Sequence, residues 1–147
     1  MFLLEVVGSL EPALVDDCWA HLIKYRWSLH KGYVVRKSHG HQIMLHHVVI
    51  DICPIDHVRD HININTLDNR AVNLRFLHKS YSSQNRKASP KNLTDIRGLA
   101  FFANTGRYLA KVQSNGKVVF KQWFANPSLA DTALRRARAI HTPYSSI

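Results

Sequence analysis

The sequence predicts an α+β fold in two modules, and three observations predict it. Short β-rich runs broken by turn residues fall into two clusters, a polar basic stretch divides the clusters, and an apolar repeat at helical spacing follows the second. With 147 residues, 46% of them apolar, the chain has material for packed cores, and at this length folding buries about 68–70% of the unfolded surface. No apolar run approaches the roughly 18–20 residues that span a bilayer. The start, Met1 to Gly8, lacks a basic n-region and carries Glu5 inside its apolar stretch, so neither a signal peptide nor secretion is expected. Cys18 and Cys53 form no CxxC pair, which argues against a zinc ribbon or disulfide scaffold and for a reduced compartment.

Residues 1–7 read as a short strand. Asp16 or Asp17 can cap a short helix through Ile23, with Trp19, Leu22 and Ile23 on its apolar face. Three β-rich runs follow at Tyr25–His30, Tyr33–Lys37 and Gln42–Leu45, with Lys31-Gly32 and Ser38-His39-Gly40 as hairpin turns. Residues 46–52 read as helical, and Pro54 ends them. Between Val58 and Asn85 lies an Asn-rich hairpin followed by a short helix from about Ser80. The basic stretch Ser83–Asn92 reads as a helix end plus linker, which places the modules at 1–88 and 92–147.

Beyond the linker, Ile96–Phe102, Tyr108–Ser114 and Val118–Phe124 read as strands, joined at Asn104-Thr105-Gly106 and at Asn115-Gly116, a strong hairpin signal. Ser128 with Asp131 three positions later has the form of a capping box. Ala130, Ala133, Leu134, Ala137 and Ile140 then share an apolar helix face, with Arg135, Arg136 and Arg138 off it. Three strands and one amphipathic helix make a complete sheet-on-helix unit.

Charge separates the modules further. The chain holds 20 Lys+Arg against 10 Asp+Glu, a formal +10. Residues 1–88 hold 11 against 8, net +3, and residues 89–147 hold 9 against 2, net +7. A field this one-sided in so short a segment points to a nucleic-acid footprint.

The most informative stretch is Leu45-His46-His47 followed by Val58-Arg59-Asp60-His61-Ile62-Asn63-Ile64-Asn65-Thr66-Leu67-Asp68-Asn69-Arg70 and Asn73-Leu74-Arg75. This order resembles the HNH nucleases, in particular the small phage and intron homing-type enzymes with Asp-His-Ile-Asn-Gly-Asn and Leu-Asp-Asn-Arg-x-x-Asn-Leu-Arg elements. The run from Ala13 through Tyr25-Arg26-Trp27 to Gly32-Tyr33-Val34-Val35-Arg36 is similar to the N-terminal region of that group. The resemblance implies a ββα-metal module. Phosphodiester hydrolysis needs a base for water and a cation for the developing charge. By the resemblance, His61 is the general base, Asp60 ligates one divalent ion, Mg²⁺ or Mn²⁺, and Asn73 braces the loop that orients the histidine. His46 and Asn69 support the site. Neighbouring strand residues point to opposite faces, so Asp60 and His61 share a site only where the strand ends or bulges.

Two departures stand out. Ile64 occupies the place of the family's glycine, and a β-branched residue tolerates a left-handed turn badly. Ser82 falls where the family has a metal-binding Asn or His, Asn85 matches a downstream Asn one turn further on, and by the resemblance these two join Asp60 as the metal-site candidates. His47 replaces the usual Arg, and for His57 and His78 surface hydrogen bonding is the reading. A zinc site from Cys53 and these histidines matches no recognised spacing.

Residues 94–140 resemble the APETALA2 type of DNA-binding domain through Arg97-Gly98-Leu99, Tyr108-Leu109-Ala110-Lys111-Val112, Asn115-Gly116-Lys117, Trp123-Phe124 and the Ala-rich helix Ala130–Ala139. That family lays its three-stranded sheet in the major groove. Arg97, Lys111 and Gln113 are the base- or phosphate-contact candidates, and Arg107 and Lys117 the phosphate contacts. The first strand, Leu99-Ala100-Phe101-Phe102-Ala103, lacks the family's arginines, which admits RNA beside DNA as the partner, and Phe101 and Phe102 read as core. The two resemblances imply a metal-dependent DNA endonuclease, nicking or cleaving, in the cytoplasm of a host cell of a phage or mobile element, or in an organelle matrix. The alternative is a catalytically degenerate, HNH-derived nucleic-acid-binding or structural protein, for instance a ribonucleoprotein component.

Overall fold

A computed structural model describes residues 1–89 and 92–145; Pro90 and Lys91 of the expected linker lie outside them. The fold is mixed α+β, with several small sheets and one long C-terminal helix. The chain divides into two compact units, Met1–Lys79 and Ser80–Ile147. Residues 80–88, read from sequence as the end of the first module, fall in the second unit.

In the first unit β1 (Phe2–Leu4) pairs antiparallel with β3 (Ala13–Val15). β2 (Val6–Val7) runs parallel to β4 (Trp27–His30), and β4, β5 (Tyr33–Ser38) and β6 (His41–Met44) form an antiparallel meander. A 3-10 turn of Asp17–Lys24 fills the place of the expected helix. Leu4, Val6, Ala13, Val15, Leu22, Trp27, Val34 and Leu45 close the core. Trp27 is buried, and its indole N–H donates to the Leu22 carbonyl at 3.0 Å, so no polar atom is stranded there. β3 was not expected from sequence, because three residues are too few to show an alternation.

After α1 (Leu45–Val49) the chain forms the hairpin of β7 (His57–His61) and β8 (Leu74–His78). The helix expected from Ser80 is reduced to a 3-10 turn of Lys79–Tyr81. Serine side chains compete for backbone hydrogen bonds, and Ser80-Tyr81-Ser82-Ser83 gives a helix little to propagate on.

The second unit is the sheet β11 (Lys117–Phe124), β10 (Arg107–Ser114), β9 (Leu99–Phe102), with β10 in the middle and α2 (Pro127–His141) packed against it. Its core is Leu99, Ala110, Val112, Ala130, Leu134 and Ala137. The β10–β11 turn places Asn115 and Gly116 at φ 49° and 77°, the paired left-handed conformations of a type I′ turn. α2 starts one residue before the expected cap. Asn126 is the N-cap, its Oδ1 accepting from the Ser128 and Leu129 N–H groups, with Pro127 in the first turn. Asp131, freed from a capping box, pairs instead with Arg135 at 2.8 Å. The apolar face is also shifted. Ile140 is 74% exposed and borders an open groove along Phe120 and Phe124, whereas Arg138 is only 8% exposed. Arg138 lies one turn beyond Leu134, where the Arg97 carbonyl accepts from its guanidinium.

Candidate active site and nucleic-acid interface

The β7–β8 register runs unshifted from His57 opposite His78 to Asp60 opposite Arg75 and His61 opposite Leu74. There is no bulge, and the strand ends at His61. Asp60 and His61 therefore take different neighbours. Arg75 reaches across the hairpin to Asp60 Oδ2, from both Nε and Nη2 at 2.8 Å. His61 is 5% exposed and turns to the other side, its ring 5.0 Å from that of His46 and 6.2 Å from that of Tyr33.

The loop between the strands is built from amide side chains. Asn73 Oδ1 accepts from the Asn63 N–H at 3.0 Å while its Nδ2 donates to the Asp68 carbonyl at 2.7 Å. Asn63 Oδ1 accepts from the Asn65 N–H, and Asn65 Oδ1 from the Leu67 N–H, two successive Asx turns. Asp68, 2% exposed, is clamped by the Arg70 Nε and Nη2 groups at 2.7 and 2.6 Å, and that hydrogen bonding holds its carboxyl below the usual range. The loop is fixed to the sheet region by Leu14, whose N–H donates to the Leu67 carbonyl and whose carbonyl accepts from the Asn69 N–H, both at 2.8 Å. This explains the asparagine count: each amide replaces a backbone partner that a tight loop lacks.

The same network sets the histidine's tautomer. Asn69 Nδ2 donates to the Thr66 carbonyl at 3.1 Å, which leaves Oδ1 facing His61 Nε2 at 3.4 Å. An amide oxygen only accepts, so Nε2 carries the proton and the lone pair sits on Nδ1. Burial pushes the His61 imidazole below its ordinary value, against the opposing pull of Asn69, Asp60 and Asp68. His46, 4% exposed, is pushed down to about 3 by burial and then by His61, His47 and Arg59. Both rings are neutral at neutral pH, the state in which an imidazole accepts a proton.

Mg²⁺ and Mn²⁺ take hard oxygen donors, and Mg²⁺ is commonly held by one or two carboxylates with waters and substrate phosphates. Asp60 offers one such carboxylate, its side chain 16% exposed. Among the described residues, no three or more His, Cys, Asp or Glu side chains are grouped to cage an ion. Ser82, half-buried, and Asn85, buried, belong to the second unit. Tyr33 and Arg75 are the residues that reading for motifs missed. Arg75 was visible within the Asn-Leu-Arg string, but only the strand register shows that it faces Asp60.

In the second unit, period-two alternation and the cross-strand register put Arg107, Leu109, Lys111, Phe102, Lys121 and Trp123 on the sheet face away from α2. Phe102 and Trp123 are 38% and 39% exposed and meet edge to face at 4.9 Å. Gln113 is exposed on β10, and Lys117 opens β11 at the hairpin. Phe102 is thus a surface residue, whereas core was expected. Phe101 lies on the other face against Tyr108 at 4.9 Å and is 39% exposed. Arg97 is occupied locally, its guanidinium donating to the Ser83 carbonyl at 2.8 Å and to that of Gln84. Lys121 and Trp123 were not picked out from sequence, because a register shift between Val112 and Gln113 sets them opposite Lys111 and Leu109, where a regular two-residue hairpin would set Phe120 and Gln122.

The unit boundary sharpens the charge division. Residues 1–79 hold 9 Lys+Arg against 8 Asp+Glu, net +1, and residues 80–147 hold 11 against 2, net +9. Comparison with protein-family models, with curated proteins and with solved structures returned no match.

Proposed function

We propose that the protein is a metal-dependent DNA endonuclease of the HNH homing type, with the Asp60–His61 hairpin as a ββα-metal-like centre and the second unit as its grip on nucleic acid. The observation that carries the reading is the state of His61: buried, neutral, and held through Nε2 by Asn69, so that Nδ1 has the lone pair a general base needs. Asp60 would hold Mg²⁺ or Mn²⁺, which when bound neutralises charge on the phosphate and the leaving oxygen. Arg75 holds the Asp60 carboxylate in place through two contacts to Oδ2. The Asn63–Asn73 network fixes the strand end, so the histidine is positioned before substrate arrives. The exposed sheet face offers cations for phosphates and an aromatic pair for bases.

A second reading, a non-catalytic nucleic-acid-binding protein, is favoured by three observations: Asp60 and His61 turn to different sides of β7, Arg75 pairs with Asp60, and Ser82 stands where a metal-binding Asn was expected. Plasmid nicking separates the two. Wild type is expected to nick supercoiled DNA with Mg²⁺ or Mn²⁺, and His61→Ala to lose about 10²-fold or more of the rate. Inert wild type with an active Ser82→Asn variant would establish the binding reading instead.

A further inference from the structure

The second unit contains a cavity of about 510 Å³ lined by Arg97, Lys111 and Arg138, with Gln84 and Thr142 at its polar wall. Among the described residues, no Asp or Glu lines it. A neighbouring hollow of about 520 Å³ shares Arg97 and adds Arg86 and Lys87, again with no Asp or Glu among its described lining residues. Arg138 is the telling residue. It is 8% exposed, and among the described residues the only hydrogen bond its guanidinium makes is from Nη2 to the Arg97 carbonyl. A guanidinium has five N–H groups, and its remaining nitrogens are not sealed in the protein without a partner, so they open on the cavity that the residue lines.

Electrostatics make this an unbalanced site. Burial and the adjacent Arg97 hold the Arg138 guanidinium below its ordinary value; the Asp131 charge acts the other way, but that carboxylate is paired with Arg135. The C-terminal carbonyls of α2 offset about half an elementary charge, against the two guanidinium charges of Arg97 and Arg138. Gly98 keeps the wall in place: at φ 81° it lies so close to the Lys111 carbonyl that an added Cβ would sit 2.5 Å from it.

We infer that this cavity is an oxyanion site, built to take a phosphate group in the fork of Arg138 beside Arg97. Bidentate guanidinium recognition suits phosphate, and the side-chain amide of Gln84 adds a neutral donor at the wall. The group has two sources, a free phosphate-bearing small molecule or a phosphate of the nucleic-acid backbone. The site is distinct from the exposed sheet face and does not depend on the nuclease reading.

The test is an NMR titration of the full chain with inorganic phosphate, with chloride compensating ionic strength. Saturable shifts of the Arg138 Nε–H and of the Gly98 and Thr142 amides are expected. Arg138→Lys should weaken binding by about tenfold or more with its circular dichroism unchanged, because the planar fork is lost while the charge remains. A mononucleotide and a short single strand, titrated in parallel, identify the source by which binds more tightly. Non-saturating shifts, or shifts confined to Arg107, Lys121 and Trp123, would overturn the inference. Should Arg138→Lys fail to fold, the wild-type titration decides by itself.

Discussion

Ile64 sits at φ 64° in the loop that follows β7. Left-handed backbone costs an L-residue about 1–2 kcal/mol, and a β-branched one is a true outlier. The surrounding network over-determines it: the Ile64 N–H donates to the His61 carbonyl at 3.0 Å, and Asn63 and Asn65 are each pinned by their own side chains. Ile64→Gly removes the steric cost but gives entropy to the unfolded chain. The net expectation is a stabilisation of about 0.5–1 kcal/mol, read as a higher denaturant midpoint at constant slope. A loss of stability would show that packing of the half-buried isoleucine outweighs its strain. The departure from glycine at this position was legible in the sequence, and so was the reason it should strain the loop. What was not legible is that the asparagines hold the conformation anyway.

At the scale of the element, the sheet of the second unit has two faces with different work. Ala110 and Val112 are buried against α2, while Lys111 between them looks away. The opposite face gathers Arg107, Lys111, Lys121 and the Phe102–Trp123 pair from all three strands. Base stacking on an aromatic contributes about 1–3 kcal/mol per base. Trp123→Ala should therefore weaken nucleic-acid binding by about tenfold, and wild-type tryptophan fluorescence should be quenched on titration with an oligonucleotide. Leu129→Ala, on the exposed groove side of α2, serves as the comparison and should leave affinity unchanged. Equal losses from both substitutions would remove this face as the interface. The alternation on β10 was read correctly from the sequence, because a central strand with one buried face prints its pattern in residue types. β9 was not, since its paired aromatics, Phe101 and Phe102, differ only in which face the register assigns them.

The behaviour of the whole molecule with pH follows from its buried histidines. His46 and His61 are nearly inaccessible, and both titrate below their ordinary value of 6.5. The unfolded chain thus binds protons that the folded chain refuses. Stability is fully present above pH 6.5 and falls as pH drops below it, for His46 down to about 3. Each histidine contributes a slope of up to about 1.4 kcal/mol per pH unit within its window. Asp68, whose carboxyl is held low by Arg70, adds a further loss at more acid pH as it protonates. Urea unfolding between pH 7.5 and 5 checks this: the midpoint should fall steadily, and His46→Leu should flatten the decline. A flat wild-type profile would mean that the rings are protonated in the fold.

The division of charge, the paired turns, the Ala-rich helix and the Asp60-to-Arg75 string are determined by the sequence itself, because each depends on residues near one another in the chain. Periodicity and turn chemistry are local, so they survive without coordinates. The partners that decide function are not local. Arg75 on Asp60, Asn69 on His61, His46 beside His61, and Arg138 opening on the cavity it lines all depend on strand register and helix phase. One residue of slip would exchange each of them for another neighbour, and only the tertiary structure, by burying one face and not the other, chooses among the registers.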